Sequence, residues 1–291
     1  MSKDLFTNFP MFEMISSGLE SSLKEYFETY YEESKFGLEI IAEDLLEVPK
    51  HKRILEIGSG IGLLSHYLAS QGYQLTSIEP AGQGFGMMTT LQKHVRNFFG
   101  VTNPELEIHC STLEDFAPNR KFDYIFSINV FEHIENPGEG LIKTNLHLNE
   151  GGTARIISPN YGVPYEPHFH IPIIFNKETT HALFRRRILS FNCFDAIGLW
   201  QSLNWISIRK IQKMLCRESI PHVFSLEATR LYFGRLEGDN QFLARKGQHF
   251  KFIASNLKFL LRFLPLRLYP VLDLKVMKPS QFGSRDGNGY V

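Results

Sequence analysis

The run Glu56-Ile57-Gly58-Ser59-Gly60-Ile61-Gly62 constrains this chain more than any other feature. It lies between an apolar stretch, Arg53–Ile57, that reads as a short strand, and residues 63–71, which read as a helix. Glycines at such a junction permit positive φ and let a ligand approach the backbone with no Cβ in the way. The helix start beyond them offers free N–H groups and a partial positive charge. Twenty-one residues after Gly58, Glu79 closes a second strand, where an acid can accept hydrogen bonds from both hydroxyls of a ribose. A glycine turn can also do no more than join strand to helix. The flanking strand and helix, with an acid at this spacing, favour a nucleotide-type ligand.

The surrounding text alternates between strand and helix. Arg53–Ile57, Gln74–Ile78, Leu106–His109, Phe122–Ile128 and residues 153–157, the last after the Gly151-Gly152 turn, read as five strands separated by helical stretches. That alternation predicts a parallel sheet covered on both faces, with ligands at the rim formed by the strands' C-terminal ends. Residues 1–48 read as helical, with capping boxes expected at Ser17-x-x-Glu20 and Ser22-x-x-Glu25 and an apolar stripe at Leu38, Ile41, Leu45 and Leu46. Residues 202–215 read as a helix, 222–233 as a strand or two, 241–263 as a basic, aromatic helical segment, and 268–277 as a closing strand.

Two ligand classes fit the glycine turn. A dinucleotide fingerprint is G-x-G-x-x-G, but here the third glycine comes one residue early, and Leu63 follows. Glu56 also sits inside the strand, where a dehydrogenase carries an apolar residue. The sequence favours a methyl donor. Residues 53–158, about a third of the chain, resemble the class I S-adenosylmethionine-dependent methyltransferases. The resemblance rests on five segments in order: residues 53–62, Ser77-Ile78-Glu79-Pro80, Leu113-Glu114-Asp115-Phe116 ahead of Phe122-Asp123-Tyr124-Ile125, the run from Ser127 to His133, and Glu150-Gly151-Gly152.

It implies an α/β fold with a Rossmann-like seven-stranded sheet, mostly parallel with an antiparallel last strand, helices on both faces and an inserted lid. It implies S-adenosyl-L-methionine as cofactor. Gly58, Ser59, Gly60 and Gly62 would form the turn against the methionine part, with Glu56 assisting its ammonium. Glu79 and Pro80 would end the ribose-binding strand, Thr112 and Leu113 would flank the adenine, and Asn129 would lie near the sulfonium. Many members of the family carry Asp where Thr112 stands; a threonine hydroxyl accepts a hydrogen bond more weakly. On this reading residues 1–48 are a helical cover and 49–160 the cofactor-binding core. Residues 161–220 are the active-site lid, 221–280 the last strands with an inserted basic-aromatic helix, and 281–291 a tail.

Methyl transfer to an alcohol or phenol needs somewhere for a proton to go. The candidates are His133, after the fourth strand, and His168 and His170, in the segment that follows the fifth. His133 also suits a structural role under the next helix, and His168 and His170 suit loop packing. The i, i+2 pair has no nearby Asp or Cys to complete a ligand set, so no metal is expected.

Lys plus Arg and Asp plus Glu stand at 31 each, for a net charge of zero, which argues against a duplex nucleic-acid partner. So does the lack of an Asn/Asp-Pro-Pro-aromatic run at Ile128-Asn129-Val130-Phe131. Three scattered cysteines, no signal-peptide pattern and no long uncharged apolar run point to a cytoplasmic protein. Residues 241–263 would suit peripheral contact with the inner face of a membrane. The expected activity is methylation, at oxygen, of a small-molecule or lipid-linked acceptor; the alternative is a non-catalytic scaffold that keeps the cofactor fold.

Overall fold

A computed structural model describes residues 7–80, 86–100, 103–191, 195–238 and 265–280. Two N-terminal helices, α1 (Phe12–Ile15) and α2 (Ser21–Glu47), precede β1 (Arg53–Ile57), α3 (Leu63–Ser70), β2 (Gln74–Ile78), α4 (Gly86–Phe99), β3 (Leu106–His109) and β4 (Phe122–Ile128). Then come α5 (Pro137–His147), β5 (Leu148–Pro159), the short strands β6 (Tyr165–Glu166) and β7 (Ile171–Pro172), and helices α6 (Lys177–Leu189), α7 (Ala196–Ser202) and α8 (Ile208–Arg217). The described chain closes with β8 (His222–Phe224), α9 (Glu227–Gly238) and β9 (Val271–Met277).

The main sheet has the order β3-β2-β1-β4-β5-β9-β8. Strands β1 to β5 pair in parallel, and β9 runs antiparallel to both β5 and β8. This is the seven-stranded arrangement expected, with one reversed strand. Because side chains alternate along a strand, each strand feeds two cores. Leu55, Ile57, Ile125 and Ile156 pack on one face with the 161–220 segment, including Phe169, Trp200 and Ile208. Ile54, Tyr124, Phe126 and Ile157 pack on the other with α2 and α3.

A buried ionic knot ties α2, β5, β9 and α9 together. Arg155 is fully buried in β5, and its Nε and Nη2 donate to the two oxygens of Asp273 at 3.0 and 2.9 Å. Nη1 donates to Asp44 and to the Ile40 carbonyl, each at 3.0 Å, and Nη2 also reaches Glu227 at 2.6 Å. All five guanidinium N–H donors are used, as a buried cation requires.

Three expectations are corrected. Neither capping box forms: helix α2 starts at Ser21, so Glu20 is its N-cap, with no side-chain bond to the helix, and the two serines miss the capping position. Only residues 222–224 of 222–233 are strand. From Glu227 on the chain is helix α9, because the buried Asp273 accepts from the Ala228 amide at 3.0 Å and so caps a helix there. That tertiary cap overrides the strand propensity of Leu231, Tyr232 and Phe233. The helix expected at 202–215 begins only at Ile208, as α8; Ser202 is the last residue of α7 and 203–207 are in no helix. The chain between them is diverted so that Asn160 Oδ1 can accept from the Ile208 amide at 3.1 Å and Asn204 can reach the β4 rim. The segment 241–263 lies outside the described residues. Among the described residues no helix is long and apolar enough to cross a membrane.

Candidate active site

The glycine turn is where the sequence puts it, between β1 and α3 at the C-terminal rim. Its amides at Gly58 and Ser59 donate to the Ile78 carbonyl at 2.8 and 3.2 Å, which fastens the turn to the end of β2. Gly58 (φ 76°), Gly60 (φ 55°) and Gly62 (φ 76°) are all left-handed, so side chains there would be strained. The reasons differ by position. A Cβ on Gly58 would lie 2.2 Å from Cγ2 of Val130, so that residue's glycine makes room for the segment after β4. A Cβ on Gly60 would find nothing nearer than Tyr30 at 3.9 Å. The open side of the turn is therefore at Gly60.

Two acids brace this turn. Glu79 Oε2 accepts from the Gly60 amide at 2.8 Å, and burial raises its carboxyl above the ordinary range. Glu56, only 6% exposed, accepts from the Ser65 hydroxyl beneath the turn. Burial pushes its pKa up to about 8; the Ser65 bond opposes this and the Glu79 charge adds to it. Its folded value lies above the unfolded 4.5, so the native chain holds a proton that the unfolded chain loses. Stability of the ligand-free protein is therefore expected to fall as pH rises from about 4.5 to about 8. In Glu56→Gln that part of the slope should vanish from thermal unfolding midpoints taken across the window. A slope identical in both proteins would show that another group titrates.

The other residues expected around the ligand are placed less uniformly. Pro80 is exposed after β2. The Thr112 hydroxyl donates to Asp115 Oδ2 at 2.9 Å and accepts from the Asp115 amide at 3.1 Å, so it caps the turn at 112–115. Leu113 is buried in the core under the rim. Asn129 ends β4 in a left-handed conformation (φ 55°), its amide bonded to the Ile157 carbonyl at 2.9 Å.

Beyond Asn129 the chain turns immediately into a polar cluster. The His133 amide bonds back to Val130, the residue that packs against Gly58, so the cluster sits one turn from the glycine loop. Glu132, His133 and His168 converge with ligand-type atoms all within 4.8 Å of one another. His168 Nε2 stands 4.0 Å from Glu132 Oε1. The rings of His133 and His168 meet edge to face at 5.7 Å. His170 is not part of this group: its Nδ1 pairs with the Tyr165 hydroxyl at 3.1 Å, in the β6–β7 hairpin. Of the three histidines singled out in the sequence, the structure brings two together.

Each member is held by a residue the sequence reading missed. His168 Nδ1 pairs at 2.7 Å with the fully buried Glu166, which also accepts from the amides of His168 and Phe169 and from the Tyr161 hydroxyl. Burial works against the charge on Glu166, but His168 and these amides overcome it and hold the carboxyl below its usual range. Burial opposes the charge on His168 too, and there Glu166, Glu132 and Glu33 prevail, raising its pKa. Burial and the neighbouring His168 push His133 down to about 4. Burial pushes Glu132 up to about 7, opposed by His168 and by its bond to Ser158. Asn204 clamps the backbone beneath: its amide donates to the Glu132 carbonyl at 2.8 Å, and its side chain donates to the carbonyls of Phe131 and Ile134 at 2.7 and 2.6 Å.

Comparison with known proteins identifies the family. Residues 35–215 match the methyltransferase domain family. An uncharacterized protein of Mycobacterium tuberculosis is 34% identical over 253 residues, covering 84% of this chain and 85% of its own. A ubiquinone biosynthesis O-methyltransferase of Rickettsia canadensis is 30% identical over 107 residues, 37% of this chain and 42% of that protein. Among solved structures, Haemonchus contortus phosphoethanolamine N-methyltransferase 2 in complex with S-adenosyl-L-methionine aligns at TM-score 0.50 and 16% identity, covering 96% of this chain and 58% of that one. That last likeness is one of fold. The domain match spans more than half of the chain and contains the glycine turn, both bracing acids and the histidine cluster, so the chain belongs to the class I S-adenosylmethionine-dependent methyltransferases.

Proposed function

We propose that this enzyme methylates an oxygen of a small-molecule or lipid-linked acceptor, with His168 and His133 meeting the acceptor hydroxyl. The observation that carries this reading is the Glu132–His133–His168 cluster at the rim, one turn from the glycine loop. The donor supplies a methyl carbon already activated by its positive sulfur. The chain's own residues then have two tasks, alignment and proton removal. Gly60 offers the open face of the turn, Glu56 would assist the donor's ammonium, and the oxygen of Glu79 not bonded to Gly60 would accept from the ribose hydroxyls. Asn129 would stand toward the sulfonium, and Pro80, Thr112 and Leu113 would border the base.

As the C–O bond forms and the C–S bond breaks, the acceptor's proton passes to the cluster, where Glu166 fixes the ring of His168. The names of the ubiquinone O-methyltransferase relatives support an oxygen acceptor. Helix α2, which brings Tyr30 to the turn and Glu33 to the cluster, and the 161–220 segment act as covers that exclude water.

The reading is tested with labelled donor and cell extract, identifying the product by mass spectrometry. His168→Ala should lower kcat by about 10²- to 10⁴-fold while S-adenosylhomocysteine binding is retained. Label found on nitrogen, or a His168→Ala enzyme of normal kcat, would overturn it.

A further inference from the structure

The geometry points to a binding site for one divalent transition-metal ion of the zinc class, formed by Glu132, His133 and His168. Three side chains of metal-ligating type converge within 4.8 Å. Convergence alone is weak, but the hydrogen bonds around these side chains select the ligand atoms. Ser202 Oγ donates to the Leu199 carbonyl at 2.9 Å and lies 2.8 Å from His133 Nδ1, so Nδ1 is the ring nitrogen engaged by an outer partner. That leaves Nε2 of His133 as the ring nitrogen not engaged by Ser202. His168 is bonded through Nδ1 to the Glu166 carboxylate, again leaving Nε2. Glu132 accepts from the Ser158 hydroxyl through Oε2 at 3.0 Å, while Oε1, in a fully buried side chain, has no hydrogen-bond partner.

A buried carboxylate oxygen without a donor costs free energy, and this one stands 4.0 Å from His168 Nε2, too far for a hydrogen bond. A cation between them satisfies both. Each ligand thus has its second polar atom occupied by an outer partner, the arrangement that orients ligands in metal sites.

The donor set selects the metal. Two imidazole nitrogens and one carboxylate suit zinc and its neighbours rather than magnesium or calcium, which favour oxygen alone. Three protein ligands with a fourth position open is the pattern of reactive rather than structural zinc sites. With zinc bonds of about 2.0–2.2 Å, tetrahedral ligand atoms stand about 3.4 Å apart, so small side-chain rotations close the set. The sequence reading found no third ligand because it looked for Asp or Cys beside His168 and His170; the third ligand is Glu132, beside His133. The proposal rests on and deepens the function given above, with the ion taking the place of direct contact between the two rings and the acceptor: its open position would hold the acceptor oxygen at the rim and lower the pKa of its proton, which would then leave to solvent.

Untagged full-length protein is dialysed against Co²⁺ and then Zn²⁺. The expected result is one ion per chain, with cobalt ligand-field absorption that zinc abolishes. X-ray absorption of the zinc form should show two imidazoles in the first shell. His133→Ala should abolish binding, and Ser202→Ala, at an exposed helix end, should weaken it about tenfold. Ion content below about a tenth per chain, a first shell without two imidazoles, or binding that survives His133→Ala in a folded protein (an adventitious ion only) would overturn it. S-adenosylhomocysteine titration of the metal-free chain runs in parallel, so loss of the metal reading is told apart from loss of the methyltransferase reading.

Discussion

Arg155→Ala is expected to lower the stability of the protein by about 3–5 kcal/mol, the usual effect of removing one side of a buried ion pair. The substitution leaves Asp273 in the core with its one remaining hydrogen bond from the Ala228 amide, and Asp44 with only Lys275 and the Tyr124 hydroxyl. It also detaches α2 and α9 from β5, since both are held to the strand by the same guanidinium. Urea unfolding followed by circular dichroism measures this directly. A loss under about 1 kcal/mol would mean that water reaches the carboxylates as readily as the arginine does.

The second large effect is on the cofactor. Gly60→Val should lower S-adenosylhomocysteine affinity at least a hundredfold, about 2.7 kcal/mol, in a protein that still folds. The new side chain fills the open face of the turn, while the protein around it offers the nearest atom at 3.9 Å. The φ of 55° adds strain to a β-branched residue but leaves the core untouched. Calorimetric titration of the folded variant is the measurement, and micromolar binding by Gly60→Val would show that the donor does not lie against this turn. Gly58→Val is a poorer probe, although the sequence alone makes the two glycines look equivalent. A Cβ there collides with Val130, so its loss of binding would report a displaced segment rather than a blocked ligand.

That contrast shows how the sequence was informative. The strands at Arg53–Ile57, Gln74–Ile78, Leu106–His109 and Phe122–Ile128 have the bounds expected from it, because each is a short apolar-rich run between breakers, largely buried in β1, β2 and β4 and half-exposed in the edge strand β3. The glycine turn was legible because its left-handed backbone demands glycine at Gly58, Gly60 and Gly62, and Glu79, singled out by its spacing, is found bracing that turn at the Gly60 amide. The capping boxes, α9 and the break before α8 were not legible, since each is decided by a partner far along the chain: Asp273 for α9, Asn160 and Asn204 for the break.

The polar cluster follows the same rule. His133 and His168 stood out as residue types, whereas Glu132, Glu166 and Ser158 acquire meaning only when the β5 end folds back beside the β4 end. A signal was present all the same. Glu132 interrupts an apolar run at the rim, as Arg155 interrupts one inside β5, and a charge set in such a run implies a partner.

The contact between Gly58 and Val130 has a consequence for how this enzyme can change its acceptor. The donor loop and the segment carrying Asn129, Glu132 and His133 are interlocked at van der Waals distance, so neither can be remodelled without shifting the other. His168 arrives from a separate stretch, on the short β6–β7 hairpin braced by Glu166 and Tyr161. An acceptor held at this cluster, as proposed above, would meet one wall whose shape is inherited with the glycine turn and one that can drift. New acceptors would be gained by altering the hairpin and the helices behind it, with the β4 side left as it stands.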